Sequence, residues 1–336
     1  MQTSDASLKF LGPQWFAVVM GWGGLSLAWL RVKGSIDPAL AGAFAAGSAA
    51  VAFVVYLVLV VLSVIRALRY RAALLEDLAH PVRHAFVGAF PVSTIVICAS
   101  LGAMFPGHAW IRGLFLVTSA IQLAVTVWVI SGWFRSGFRW PAATPVLMIP
   151  IVGNVLVPIA GIPLGFEKLS WAYLGLGVLM WPVVLTLILA RTAVLPMPDR
   201  LLPSWFITIA PPAVSGVALA VAGAPAWTVN VMAGMAGFFA FCALTLAVRL
   251  RKLEFGMPFW AMSFPSAALS AIISTLAQGT PDAIWGARVL VWLVTAVILW
   301  LSAMTLRGLL AGSLLVAEPV PAPPLKDGAG SPAARS

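Results

Sequence analysis

Apolar stretches of membrane-spanning length follow one another along this chain, and breaks in them alternate. A helix needs about 20 apolar residues to cross a bilayer, and ten such segments occur, at approximately 13–30, 39–65, 85–105, 109–130, 143–164, 170–190, 205–222, 226–248, 259–278 and 285–306. Every odd segment contains prolines or clustered glycines: Gly21, Gly23 and Gly24, then Pro91, then Pro150, Pro158 and Pro163, then Pro211 and Pro212, then Pro265. The even segments run largely unbroken, and only the sixth has an internal proline, Pro182. Because broken backbone at membrane depth must be covered by protein or water, the alternation predicts that the five odd segments line a shared interior.

Composition sets the class of protein. Hydrophobic residues make up 62% of the chain and charged residues 9%, and the mean hydropathy is +1.03, which excludes an ordinary soluble domain. The predicted fold is an all-α polytopic membrane protein, with ten transmembrane helices arranged as five helical hairpins around a central pore. We predict a cytoplasmic N-terminus at 1–12, a transmembrane domain at 13–310 and a disordered, proline-rich cytoplasmic tail at 311–336.

Basic residues predict the orientation. With the N-terminus in the cytoplasm, 15 of the 20 lysines and arginines fall on the cytoplasmic side, as the positive-inside rule expects. The five on the other side are Arg31, Lys33, Arg112, Lys168 and Arg288. Topology therefore accounts for the net charge of +10, and no nucleic-acid partner is predicted. The predicted location is a bacterial-type inner (plasma) membrane, with both termini cytoplasmic.

Acidic residues are absent from the middle of every segment, since all ten fall in tails or connections. This argues against a buried carboxylate relay and against a cation pathway lined by acidic rings. Broken helices instead present backbone amides at half-helix N-termini, which favour anions without any formal charge at membrane depth. Weakly hydrated monovalent anions should pass such a pathway most easily.

Enzymatic and metal chemistry find little support in the sequence. His80 and His84 are four residues apart, but they lie at a segment edge beside Pro81 without a third ligand, so a helix-entry role is the better interpretation. No catalytic motif occurs in a fitting context. We predict no catalytic residues, no metal site and no cofactor.

Four segments resemble one known family. FAVVMGWGGLSLAW in the first segment, HPVRHAFVGAFPVST at the third, IPIVGNVLVPIAG in the fifth and FWAMSFPSAALSA in the ninth are similar to the tellurite-resistance and dicarboxylate transporter family, which includes plant slow anion channels. The resemblance covers roughly residues 10 to 310. It implies ten helices in five hairpins, a pore lined by the odd helices in each protomer, and a homotrimer with three separate pores.

The resemblance also implies a gate at Phe264, the phenylalanine before Pro265 in the ninth segment. A phenyl ring is large and rigid enough to dewet a narrow passage, although Phe264 could simply pack against neighbouring helices. Other candidate pore-lining residues are Gly21, for which close helix packing is the alternative, and Pro265. Pro91, Pro158 and Pro211 are assigned to the pore by helix position, and Ser93 and Asn154 could add polar contacts.

The predicted function is a passive channel for small monovalent anions of the chloride or nitrate type, in a lipid bilayer. The alternative is a secondary carrier for C4-dicarboxylate, sulfite or tellurite-type oxyanions, which the same family contains. A dicarboxylate carrier should place an arginine or lysine at its site, and no such residue falls at the middle of a segment.

Overall fold

The structure is a computed structural model and describes residues 8–278 and 283–316, which contain helices, turns and no strand. Ten apolar helical segments, labelled α1 to α10 in chain order, span Pro13–Gly34, Pro38–Arg69, Arg83–Met104, Ala109–Ser136, Pro145–Gly161, Glu167–Val194, Asp199–Val221, Ala226–Leu244, Met257–Ala277 and Ala283–Leu310. Among the described residues, nine of these are long and apolar enough to cross a membrane, and α5 is shorter. The all-α polytopic fold is confirmed, and the count of ten spans stays a prediction.

The alternation of broken and unbroken segments is present in the backbone. Each even segment is a single α-helix, and α6 accommodates Pro182 in its interior. Each odd segment begins with one or more 3₁₀ turns before an α-helical part, and α5 changes between the two forms three times. Because 3₁₀ turns rise about 2 Å per residue against about 1.5 Å in an α-helix, α5 reaches further across the bundle than its length suggests.

Prolines mark the places where 3₁₀ turns give way to α-helix. The α-helical parts of the odd segments that contain proline begin at Ala89, Met148, Val157, Ala210 and Ser263. Pro91, Pro150, Pro158, Pro211 and Pro265 each lie two residues or fewer after one of these starts. The first turn of an α-helix tolerates proline because its amide would have no intrahelical partner there. Local proline chemistry therefore explains where the odd segments change geometry.

The odd segments are inner and the even segments are outer. Between 61% and 72% of the most apolar window is buried in α1, α3, α7 and α9, against 22% to 39% in the five even segments. Each odd segment packs against the even segment that follows it, which forms five helical hairpins, and the inner segments contact one another in the closed order α1, α3, α5, α7, α9 and back to α1. Exposed apolar side chains such as Val54, Val58 and Val61 on α2 suit a lipid environment.

Side-chain hydrogen bonds cover the irregular parts of the inner ring. The carbonyl oxygen of Pro150 on α5 accepts from Gln122 Nε2 at 3.1 Å and from Thr126 Oγ1 at 2.7 Å, both on α4. Trp29 on α1 donates its indole N–H to Thr295 Oγ1 of α10 at 3.1 Å, which joins the first hairpin to the last. Buried polar groups of the broken helix thus gain partners from the outer layer, as a membrane interior requires.

The predicted segment bounds agree with the helices to within six residues. The proposed domain limits stay a prediction, and residues 1–7 and 317–336, which hold most of both predicted tails, lie outside the described residues. A short helix at Arg71–Ala79, here named the linker helix, connects the first two hairpins. The predicted homotrimer also stays a prediction.

Candidate functional site

A cavity of about 370 Å³ lies inside the ring of odd segments. All five odd segments begin at the same end of the bundle, here named the basic end because Arg83, Arg191 and Arg200 line the cavity there. Side chains of every odd segment contribute to its wall, among them Met20, Val92, Val152, Ile207 and Trp260. The shared interior that the alternation of breaks predicts is therefore present.

A second, smaller cavity of about 30 Å³ lies toward the opposite end. It has room for one or two water molecules. Its wall comes from α1, α5, α7 and α9 and includes Arg31 in the last α-helical turn of α1. The two cavities are therefore arranged along one inner axis, with an arginine at each outer end.

Three side chains border both cavities: Phe264 of α9, Leu156 of α5 and Val214 of α7. We name this group the waist. The Phe264 side chain is only 6% exposed. On the α1 side its ring lies against Gly24, where an added Cβ would come within 2.9 Å of Phe264 Cδ2. Gly24 thus leaves the space that the ring occupies.

Ion pairs fix one of the arginines at the basic end. Arg83 Nη1 lies 3.2 Å from Asp77 Oδ1, and Arg83 Nη2 lies 2.7 Å from Glu76 Oε1. Asp77 Oδ2 also accepts from Arg66 Nη2 at 2.7 Å, and Arg66 Nε donates to the carbonyl oxygen of Lys9 at 2.9 Å. The network joins the N-terminal segment, the end of α2, the linker helix and the start of α3.

The sequence of the link between the first two hairpins, with Glu76 and Asp77 beside several arginines, favours a solvated segment, but Asp77 is only 3% exposed. The linker helix turns this carboxylate inward because two guanidinium groups compensate its charge there. Glu76 remains on the surface, and its hydrogen bond with Arg83 together with the charge of that guanidinium lowers the pKa of the Glu76 carboxyl from 4.5.

The predicted helix-entry role of His80 is confirmed. His80 Nδ1 accepts from the backbone amides of Val82 and Arg83, each at 3.1 Å, and so provides partners for amides at the start of α3. His84 Nδ1 lies 3.0 Å from the carbonyl oxygen of His80. His80 also lines the main cavity at its basic end.

Three of the predicted site residues line the main cavity, namely Phe264, Pro265 and Pro211. The other five are not among the residues that line either cavity: Gly21, Pro91, Ser93, Asn154 and Pro158. At Gly21 an added Cβ would approach Ser263 Oγ to 2.5 Å, so this glycine permits close packing of α1 on α9. This contact agrees with the alternative interpretation of Gly21, which is close packing between helices.

The two polar candidates use their side chains within the protein. Ser93 Oγ donates to the carbonyl oxygen of Phe90 at 2.8 Å. Asn154 Nδ2 donates to Thr126 Oγ1 at 2.9 Å and to the carbonyl oxygen of Ile151 at 2.7 Å. The Asn154 amide therefore stabilises the contact of the broken α5 with α4.

Sequence reasoning missed the arginines of the cavity. It assigned Arg83, Arg191 and Arg200 to topology alone, whereas all three also line the basic end of the main cavity. The sequence did contain a signal for this position, because the three arginines lie next to the start of α3, the end of α6 and the start of α7. Every odd segment starts, and every even segment ends, at the basic end of the bundle. No acidic side chain is among the residues that line either cavity.

The fold and site together define a class: a polytopic α-helical membrane protein whose inner broken helices enclose two aligned cavities of positive character. Comparison with known proteins then assigns the family. Residues 11–306 match the SLAC1 family, described as a voltage-dependent anion channel, and the chain belongs to this family.

Two curated relatives illustrate the range of the family. The S-type anion channel SLAH1 of Arabidopsis thaliana is 23% identical over 258 residues, which is 73% of this chain and 65% of the plant protein. The uncharacterized transporter MJ0576 of Methanocaldococcus jannaschii is 28% identical over 291 residues, which is 79% of this chain and 83% of that protein. The matched region thus spans slightly less than two thirds of the plant channel's length. Membership supports an anion channel or transporter rather than an enzyme.

Proposed function

We propose that this protein is a passive channel for small monovalent anions such as chloride and nitrate, and that the Phe264 ring is its gate. The observation that carries the proposal is the position of Phe264 between two cavities on one inner axis. A ring that is 6% exposed and bordered by Leu156 and Val214 leaves an apolar constriction between two spaces large enough for water. Such a constriction blocks ions by excluding their hydration water.

The charges around the two cavities support an anion as the transported species. Arginines line the basic end of the main cavity and Arg31 lines the small cavity, while acidic side chains are missing from both linings. The five odd segments also begin at the same end, so their helix dipoles present their positive ends toward the basic end. Both features raise the local concentration of anions and lower that of cations.

The basic end would face the cytoplasm under the positive-inside rule. The N-terminus and the predicted tail would then both be cytoplasmic. Accessibility labelling of the single surface cysteine, Cys242 on α8, cannot report the side because it lies within a span. A cysteine introduced at Arg139, in the exposed link after α4, gives the direct measurement.

A carrier for carboxylate or oxyanion substrates is the second candidate. One observation favours it: Arg83, Arg191 and Arg200 line the same end of a cavity of about 370 Å³, and guanidinium groups are suited to binding carboxylates. A carrier would show saturable, substrate-coupled uptake in liposomes. A channel would show conductance that follows the electrochemical gradient of chloride or nitrate.

The test is the conductance of purified Phe264→Ala in planar bilayers, compared with the wild type. Removal of the ring joins the two cavities, and we expect nitrate or chloride current to rise by about tenfold or more, equivalent to a barrier lowered by about 1.4 kcal/mol. Phe259→Ala is the matched control. Phe259 lies five residues earlier on α9, is equally buried at 6%, and packs against Phe255 and Trp300 away from both cavities.

The control should show the small current of the wild type. Equal current in the wild type and Phe264→Ala would exclude Phe264 as the gate. Saturable succinate uptake without anion conductance in either protein would exclude the channel and favour the carrier.

A further inference from the structure

Arg191 is a buried arginine whose charge the described protein leaves uncompensated. It lies in the last turn of α6, is 6% exposed, and lines the basic end of the main cavity. Among residues 8–278 and 283–316, no carboxylate lies within ion-pair distance of its guanidinium. Arginine is rarely buried this deeply unless a counter-charge is present.

Three other arginines at the same end have the partners that Arg191 lacks. Arg66 and Arg83 share the carboxylates of Asp77 and Glu76. Arg249 on the surface contacts Asp199, and both side chains are more than half exposed. Arg191 is therefore less exposed than the cavity-lining Arg83, yet it lacks the acidic neighbours that Arg83 has.

The hydrogen bonds of Arg191 leave part of the guanidinium free. Nη1 makes both of its bonds, to the carbonyl oxygen of Leu195 at 3.1 Å and to Met197 Sδ at 3.7 Å. Nε is buried and has no partner. Nη2 has no hydrogen-bond partner in the described protein, and unlike Nε it keeps accessible surface. It is therefore the nitrogen that a molecule in the cavity can reach.

We propose that Arg191 forms an anion-binding site at the basic end of the cavity, which takes a small inorganic monovalent anion such as nitrate or a halide. The anion supplies the counter-charge that a guanidinium in this environment requires, and Arg191 Nη2 supplies a donor that has no acceptor in the described protein. The inference rests on the proposed function, because anions must enter the cavity to reach this site. It adds the residue that an entering anion contacts at the basic end.

Binding can be measured without any current. The unfolding temperature of the purified protein in detergent is followed as sodium nitrate replaces sodium gluconate at constant ionic strength, and the dependence gives a dissociation constant. We expect the constant for nitrate to be weakened about tenfold or more in Arg191→Gln and partly restored in Arg191→Lys. Arg249→Gln, which removes a surface arginine at the same end, should bind nitrate as the wild type does.

Anomalous diffraction from crystals of the wild type in sodium bromide gives a position, and we expect a bromide peak within contact distance of Arg191 Nη2. A bromide peak elsewhere, or the same nitrate constant in Arg191→Gln as in the wild type, would overturn the assignment. If Arg191→Gln does not fold, the bromide position and the nitrate constant of Arg191→Lys decide.

The outcomes separate this site from the proposed channel. Nitrate binding that depends on Arg191, without current in Phe264→Ala, would reject the channel and leave the site. Current in Phe264→Ala together with nitrate binding that is insensitive to Arg191 would reject the site and leave the channel.

Discussion

The contact between Gly24 and the Phe264 ring gives the most direct test of the waist. A Cβ at position 24 would lie 2.9 Å from Phe264 Cδ2, 3.4 Å from Phe264 Cε2 and 3.2 Å from Ala267 Cβ. Carbon atoms pack best at about 3.5 to 4.0 Å. In Gly24→Ala the ring must therefore move by at least about 0.6 Å, whereas Ala267 needs to yield by only about 0.3 Å.

Two opposing effects determine the stability of Gly24→Ala. Alanine is favoured over glycine inside a helix by about 1 kcal/mol, and overpacking against a buried ring costs about 1 to 3 kcal/mol. We expect the substitution to be destabilising by about 1 kcal/mol when the ring is present. In the Phe264→Ala background the ring is gone, and the same substitution should stabilise by about 0.5 to 1 kcal/mol. The coupling between the two positions is then about 1.5 to 2 kcal/mol.

The assay is a double-mutant cycle on the free energy of unfolding in mixed detergent micelles, with four proteins. Gly47→Ala on α2 is the matched control, because an added Cβ there meets nothing within 4 Å. It should change stability equally in both backgrounds. Effects of Gly24→Ala and Phe264→Ala that add to within about 0.5 kcal/mol would show that the Phe264 ring does not lie against α1.

The ion-pair network at the basic end carries two further predictions. Asp77→Asn leaves the buried Arg66 guanidinium without its counter-charge and should lower the free energy of unfolding by about 3 kcal/mol. Asp199→Asn breaks the exposed ion pair with Arg249 and should change the free energy of unfolding by less than about 1 kcal/mol. Equal effects of the two substitutions would contradict the burial of Asp77. Because the folded protein lowers the pKa of Glu76, the stabilisation from this carboxylate is present above its ordinary pKa of 4.5 and is lost as the pH falls through the lowered value. The wild type should therefore exceed Glu76→Gln in unfolding temperature at pH 7, and the two should converge in acid; a gap that widens in acid would refute this.

The inner and outer positions of the segments were predictable because they depend on local chemistry. Proline removes an amide donor wherever it occurs, so Pro91, Pro211 and Pro265 locate helix breaks without knowledge of the neighbours. Burial follows, because broken backbone cannot face lipid. The same rule explains why the unbroken segments carry the exposed apolar surface.

The faces of the broken segments could not be predicted, because they depend on contacts between residues far apart in the chain. Gly21 and Gly24 are three residues apart on α1, yet the first lies against Ser263 and the second against the Phe264 ring. Which glycine meets the ring depends on the relative height of α1 and α9, which local sequence does not determine. Asn154 is a similar case, since its amide is oriented by Thr126 of α4.

The positions of the charges place the attraction of anions and the exclusion of ions at different points along the inner axis. The waist consists of Phe264, Leu156 and Val214, so under the proposed function an ion that passes it gains no compensating charge and depends on water. The arginines lie at the two outer ends, where they can attract anions without holding them at the narrowest point. An arginine within the waist would bind an anion more tightly and slow its release, because conduction requires that a bound ion also leave. Under the proposed function, attraction at Arg191 and exclusion at Phe264 are therefore separate steps, and a substitution at either residue should change one without abolishing the other.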